Sequence, residues 1–446
     1  MSKVFIHRMA NSDSIAMLRE QYAFKTTRDT LRRVIAESGY DFTKYKDSIV
    51  LVKPNWVRHN TKPSDEICLT THPNFVLAIL SLLVHYKPKR IIIGDAPIQG
   101  CCWDELLTQN YIKLIIAISE QSGVPIKIVD FRRTVFAKSK NTVVSNLRDM
   151  SNYCIVDLAE KSYLEPITTN KSSFRVTDYD PDRLSASHHK GKHLYCIAKE
   201  TFDADYVIAL PKAKTHQKAG ITNALKLIVG LNGDKDYLPH HRVGGTGFGG
   251  DCYPGRNLLR RVSEYFLDQA NRNIGGSLYK PLKFASKMFW RVSLPKDVHH
   301  LAAGWHGNDT TWRMVMDLNM IVKYGVADGT LSDKQQRSIL YICDGIIAGQ
   351  GDGPLNPDPL PLGIVMLSDN AAQMDRALAV QMGYDPYMIP LVKESLKLET
   401  DDCEFYYNGK LVTIEEIVEN STTHAIPPPG WQPLLEKGDM KHHSQR

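Results

Sequence analysis

Short apolar runs that end in polar side chains recur along this chain, and they restrict what it can fold into. They are SIVLV at 48–52, closed by Lys53-Pro54-Asn55; Arg90 to Ile93, closed by Gly94-Asp95; PIKIVD at 125–130; Tyr206 to Leu210, closed by Pro211 and lysines; 338–343, closed by Asp344; and 363–367, closed by Ser368-Asp369-Asn370. Runs this short, rich in Ile and Val and bounded by turn residues, read as strands buried on both faces. Helical spacing falls before and between the first three, at 27–38, from Thr71-His72-Pro73 to about Tyr86, and at 103–121. The resulting β-α-β-α-β rhythm predicts a parallel sheet with right-handed crossover helices. The expected fold is therefore α/β: a mostly parallel open sheet flanked by helices, with an inserted polar subdomain.

Four segments are expected. Residues 1–131 form a first α/β half, and 132–200, polar and without a clear period, an insertion or small β-rich subdomain. Residues 201–400 form a second half carrying a basic helical insertion at 256–292, and 401–446 a C-terminal extension. The cluster DYDPDR at 178–183 lacks the glycine and later glutamate of a calcium loop and reads as a plain loop. The glycine-rich GGTGFGG at 244–250 matches no phosphate-loop pattern and reads as a mobile connection.

The stretch 206–242 concentrates the chemistry. A buried strand stopped by Pro211 is followed by Lys212, Lys214, Thr215, His216 and Lys218, and Gly220 allows a tight turn. Ile221, Leu225 and Ile228 then share a helical face, with Thr222, Asn223 and Lys226 on the other side. Lysines between a strand end and a helix N-terminus make a place to hold an anion. A solvated basic loop is the plainer reading; direct attachment to a buried strand favours the functional one.

Ligands of open α/β sheets bind at the carboxyl ends of the strands, so Lys53, Asn55, Asp95, Lys212, Lys214, Asp344 and Asp369 are expected to converge. Anion binding is assigned to Lys53, Asn55, Lys212, Thr215, Thr222, Asn223, Lys226, His240, His241 and Arg242. His216, Lys214 and Asp344 are the candidate catalytic groups, since neighbouring lysines depress each other's pKa and can leave one as a base. Asp95, Asp344 and Asp317 offer oxygen ligands that suit magnesium or manganese; no HExxH pattern supports zinc. Trp312 and Asp317 read equally well as core packing and a solvated charge.

Fifty-five Lys and Arg against 49 Asp and Glu give a net charge of +6 over 446 residues. That balance is not the footprint of a nucleic-acid binder, and it suits a small anionic partner. MSKVFIHRMANSDS has no signal-peptide core, and the longest apolar run, Phe75 to Val84, is too short to span a bilayer, so a cytoplasmic protein is expected. The eight cysteines form no CxxC pair, which leaves no ligand set for an iron–sulfur cluster. An oligomer remains open.

The segments LPKAKTHQKAGITNALK and LPHHRVGG, together with VLVKPNWV, GDAP, WRMVMDLN and DGIIAGQGDGP, resemble the bacterial and archaeal family called domain of unknown function 362. The matching pieces keep their order over most of 48–385. Some members of that family carry a ferredoxin-like cysteine cluster, which this chain lacks. Three functions stay in view: an enzyme acting on a phosphorylated or carboxylated small molecule, with or without a divalent metal; a non-catalytic anion- or protein-binding subunit, favoured by the basic helices; and a redox or metal-carrier role like that of the cysteine-bearing relatives.

Overall fold

The computed structural model describes residues 2–10, 14–136, 144–169, 173–293, 303–398, 402–421 and 423–432. The apolar runs all become strands of one mixed, mostly parallel sheet. Its strands are β1 (Ser2–Arg8), β2 (Ile49–Pro54), β3 (Arg90–Asp95), β4 (Ile126–Asp130), β5 (Tyr206–Leu210), β6 (Lys212–His216), β7 (Gly220–Thr222), β8 (Ser338–Gln350), β9 (Asp358–Ser368), β10 (Cys403–Tyr407) and β11 (Lys410–Val412). Their order is β11-β10-β1-β9-β8-β5-β2-β3-β4, with β6 paired to β8 and β7. From β8 to β4 all neighbours run parallel, while β9 is antiparallel to both β8 and β1.

Alternation along the strands explains why the runs are apolar throughout. Val50, Val52, Ile91, Ile93, Ile208 and Leu210 enter the core on one face; Leu51, Ile92, Val207 and Ala209 enter the core on the other. A strand covered on both faces needs apolar residues at odd and even positions alike. Local signals set the helix starts. In α1 (Pro73–Leu83) His72 is the N-cap, its Nδ1 accepting from Asn74 N at 3.2 Å, and Pro73 occupies the first turn. The expected helix at 103–121 is two, Trp103–Leu106 and Gln109–Ser122, because Thr108 caps the second. Further helices are α2 (Ala224–Leu227), α3 (Leu258–Arg272), α4 (Tyr279–Ser293) and α5 (Thr311–Tyr324).

Within 132–200 lies a small antiparallel sheet of Tyr153–Asp157, Lys192–Ala198 and His188–His189. Asp180 of the DYDPDR cluster caps a short helix, Pro181–Ser187, and Phe174–Arg175 pairs with His241–Arg242.

Four expectations about this region and the strand ends are corrected. Pro211 does not stop the chain's extended course: β6 begins at the next residue and pairs with β8. Gly220, at φ +79°, turns the chain back so that Ile221 and Thr222 pair with Thr215 and Lys214. The apolar spacing at Ile221 therefore belongs to a hairpin, and the helix beyond it is the single turn α2. Asp344 lies inside β8 rather than at its end, opposite Lys212. Asp369 follows β9, which runs against the parallel strands, so the chain there heads away from the carboxyl ends that carry Lys53 and Asp95.

Candidate functional site

β5 lies beside β2, yet the chain leaves β2 in the other direction, through β3 and β4, before returning. Such a reversal of strand order opens a crevice at the carboxyl ends of the strands. Here it is a cleft of about 290 Å³. β2 brings Lys53 and, just past its end, Asn55; β3 brings Asp95; β6 and β7 bring Lys214, His216 and Thr222; α2 brings Lys226. Lys218, Lys235 and His240 come from the following loops and Tyr179 from the 132–200 segment.

The charge in this cleft is one-sided. Five lysines line it, Lys53, Lys214, Lys218, Lys226 and Lys235, against the single carboxylate of Asp95. That carboxylate is already engaged: Lys53 Nζ is 2.8 Å away, and it accepts from Trp56 N at 2.6 Å and Ala96 N at 2.7 Å. The pair is closed in from above by Gly230, where a Cβ would stand 1.9 Å from Asp95 Oδ1 and 2.6 Å from Lys53 Nζ. Only glycine permits so close an approach.

The remaining lysines meet neutral oxygens or nothing. Lys214 Nζ donates to Asn55 Oδ1 at 3.1 Å and Leu69 O at 2.5 Å, Lys235 Nζ to Ala96 O at 2.9 Å, and Lys218 Nζ to Thr177 Oγ1 at 3.3 Å. Among the described residues Lys226 has no hydrogen-bond or ion-pair partner for its ammonium. Burial, reinforced by repulsion from Lys235, Lys218 and Lys53, brings Lys226 down to about 7. Burial brings Lys214 down to about 7 and Lys235 to about 8, and it lowers Lys53 and Lys218. Thr222 Oγ1 is buried in the same wall without a partner.

Two histidines complete the lining, and their partners distinguish them. His216 Nδ1 accepts from Lys218 N at 3.0 Å, which puts its proton on Nε2. His240 Nδ1 lies 2.6 Å from Leu238 O and so carries the proton, leaving Nε2 as a lone pair. Burial first and the lysines second hold both far below the ordinary histidine value, so both are neutral. His240 thus offers an acceptor and His216 a donor.

Other expected site residues stand outside this lining. Lys212 is fully buried with Asp344 at 2.9 Å, and Tyr22 bridges them, accepting from Lys212 at 2.8 Å and donating to Asp344 at 2.6 Å. Thr215 Oγ1 donates to Gly351 O at 3.0 Å. Asn223 lies beside Asp375, whose carboxylate caps α2 through Ala224 N and Leu225 N and is pushed up to about 8 by burial. His241 is buried in its two-residue strand, and Arg242 faces Asp251 and Asp309, each at 3.6 Å. Asp317, on α5, accepts from Ser162, Tyr195 and Tyr163 N and is raised to about 7 by burial.

The three carboxylates considered for a metal, Asp95, Asp344 and Asp317, are therefore dispersed, each closed by its own donors. Among the described residues no group of three His, Cys, Asp or Glu gathers to hold an ion. Burial also pushes the Cys101 thiol up to about 12. Sequence reasoning passed over Lys235, which sits in a turn-like NGDKDY segment, and Tyr179, whose loop reads as surface. Lys235 had one signal, its place inside the lysine-rich stretch; Tyr179 had none.

Among the described residues no helix is long and apolar enough to cross a membrane. A thylakoid-associated protein of Synechocystis is 23% identical over 388 residues, which cover 86% of this chain and 79% of that one. A crystal structure of a Thermotoga maritima protein aligns at a TM-score of 0.37 and 9% identity, over 84% of this chain and 58% of that one. The family model described as a domain of unknown function, DUF362, matches residues 50–380, and the chain belongs to that family.

Proposed function

We propose that the cleft binds a small polyanion, phosphorylated or carboxylated, and that the protein is an enzyme acting on it. The observation that carries this reading is the set of five lysines around one carboxylate that Lys53 already neutralises. An ammonium buried without a counter-charge is costly, and its pKa falls in response. A bound polyanion supplies the missing charge and holds the lysines that contact it in their protonated form. Lys218, Lys226 and Lys235 then hold the anion, with Thr222 and the Nε2–H of His216 as neutral donors. Lys214, brought down to about 7 and positioned by Asn55, is able to give or take a proton at neutral pH. His240 Nε2 is the second acceptor in the cleft.

Calorimetric titration of the intact chain with pyrophosphate and with citrate tests the reading. Saturable binding of at least one is expected, weakened about tenfold or more in Lys226→Met and Lys214→Met while circular dichroism stays unchanged. Equal affinity in wild type and both variants would remove the cleft from consideration. Tight binding of every anion with turnover of none would move the protein to the non-catalytic binding class.

A further inference from the structure

The hairpin of α3 and α4 lies outside the cleft and has a one-sided surface of a different kind. Its helices run antiparallel, with Asn257 Nδ2 donating to Ser293 O at 3.3 Å, Ser263 Oγ to Ser286 O at 2.8 Å, and the Phe266 and Phe289 rings stacked at 5.5 Å. One side is fastened to the body. Asp268 pairs with Arg175 at 3.0 Å, Asn271 donates to Thr177 O at 3.0 Å, Arg272 pairs with Asp182 at 2.9 Å and Lys283 with Asp178 at 3.0 Å.

Each helix also carries an apolar stripe that no other described residue covers. Leu258, Val262 and Tyr265 follow helical spacing on α3, and Phe284, Met288 and Val292 do the same on α4. Leu258 is 74% exposed, Phe284 71% and Val292 69%, large values for side chains with no other evident use. Every exposed charged residue between 256 and 293 is cationic: Arg256, Arg261, Arg272, Lys280, Lys287 and Arg291. The two acidic residues of the helices are withdrawn, Glu264 into the interior, where it accepts from Gly244 N at 2.8 Å, and Asp268 into its pair with Arg175.

We propose that this face docks peripherally on an anionic lipid surface. A helix pair with bulky apolar side chains along one face and only cations beside them suits the boundary between headgroups and acyl chains. The apolar groups enter the boundary, while the long Lys and Arg side chains lie along it with their charges against lipid phosphates. Charge complementarity selects the occupant: the exposed hairpin offers no carboxylate to a basic or mixed-charge partner, and its cations flank apolar groups rather than forming an isolated patch. The segment that anchors the hairpin, through Thr177 and Asp178, also delivers Tyr179 to the cleft, so the docked face and the cleft share one support.

Flotation of the full chain with phosphatidylcholine vesicles, with and without phosphatidylglycerol, tests this. Co-flotation is expected only with the anionic vesicles, weakening as salt is added. The surface variant Leu258→Ser/Phe284→Ser and the charge variant Lys280→Glu/Lys287→Glu/Arg291→Glu should each lower partitioning tenfold or more. Lys226→Met should float like wild type, which separates the hairpin from headgroup capture in the cleft. No flotation with anionic vesicles, or flotation indifferent to both sets, overturns the proposal. Retention on soluble polyglutamate, with no affinity for vesicles, would overturn it in favour of an acidic protein surface.

Discussion

Lys212 and Lys214 stand two residues apart in one strand and both are completely buried, yet their surroundings differ in kind. Lys212 faces the Asp344 carboxylate at 2.9 Å and the Tyr22 hydroxyl at 2.8 Å, and His72 N donates to the same carboxylate at 3.0 Å. Its charge is balanced by residues of the chain itself. Across the register break between the two lysines, Lys214 reaches only neutral oxygens and joins Lys218, Lys226 and Lys235 around the cleft. A buried cation with its counter-ion built in is part of the structure. Buried cations without one raise the energy of the empty protein and are poised for a charge that arrives from outside.

The largest expected effect lies on the balanced side. Asp344→Ala leaves Lys212 as an unpaired buried charge and strips Tyr22 and His72 N of their acceptor, so a loss of about 3–5 kcal/mol is expected in urea unfolding. The double variant Lys212→Met/Asp344→Leu, which removes both charges, should recover most of it. Should Asp344→Ala instead unfold like wild type but fail to bind pyrophosphate, the contrast breaks and Asp344 belongs to the functional site.

On the unbalanced side the sign reverses. Lys226→Met replaces a buried ammonium without a protein partner by an apolar chain of similar length. The ligand-free variant should be more stable than wild type, by about 1 kcal/mol. It should also lose the melting-temperature gain that wild type shows with a saturating polyanion. A destabilised variant would mean that Lys226 holds the fold together, and the division between the two regions would move accordingly.

The strands were legible because burial on two faces leaves an unbroken apolar run, as in Val50–Val52 and Ile91–Ile93, and the polar residues at the carboxyl ends of β2 and β3 do meet at the cleft. What distinguishes Lys212 from Lys214 was not legible. It depends on Tyr22, which is 190 residues away in the chain, and on an irregularity in the pairing of β6 with β8. Gly220 defeated the period: Ile221, Leu225 and Ile228 have helical spacing, but the first of them closes a hairpin whose partner, β6, was hidden by its lysines and histidine. Strand direction was equally silent, since nothing local in 363–367 states that β9 runs against its neighbours and carries Asp369 away from the site.

The smallest effect is also the most diagnostic of which lysines matter. Lys214 and Lys226, brought to about 7, and Lys235, brought to about 8, are protonated at the acid end of the neutral range and lose their protons as pH rises. An anion binds the protonated form, so affinity is highest below about pH 7 and falls through about pH 7–8, by up to about tenfold per unit for each lysine that must take up a proton. The cost these lysines impose on the empty fold runs the same way. It is full below their folded values and fades as pH rises toward the ordinary lysine value near 10.4. The stability advantage of Lys226→Met should therefore narrow with rising pH, and its slope of affinity against pH should be shallower than wild type by about one proton. Affinity and stability differences that stay level from about pH 6 to about pH 9 would mean that these lysines keep their protons without a ligand. The cleft would then hold its charge without a counter-ion from outside, and the contrast between the two regions would disappear.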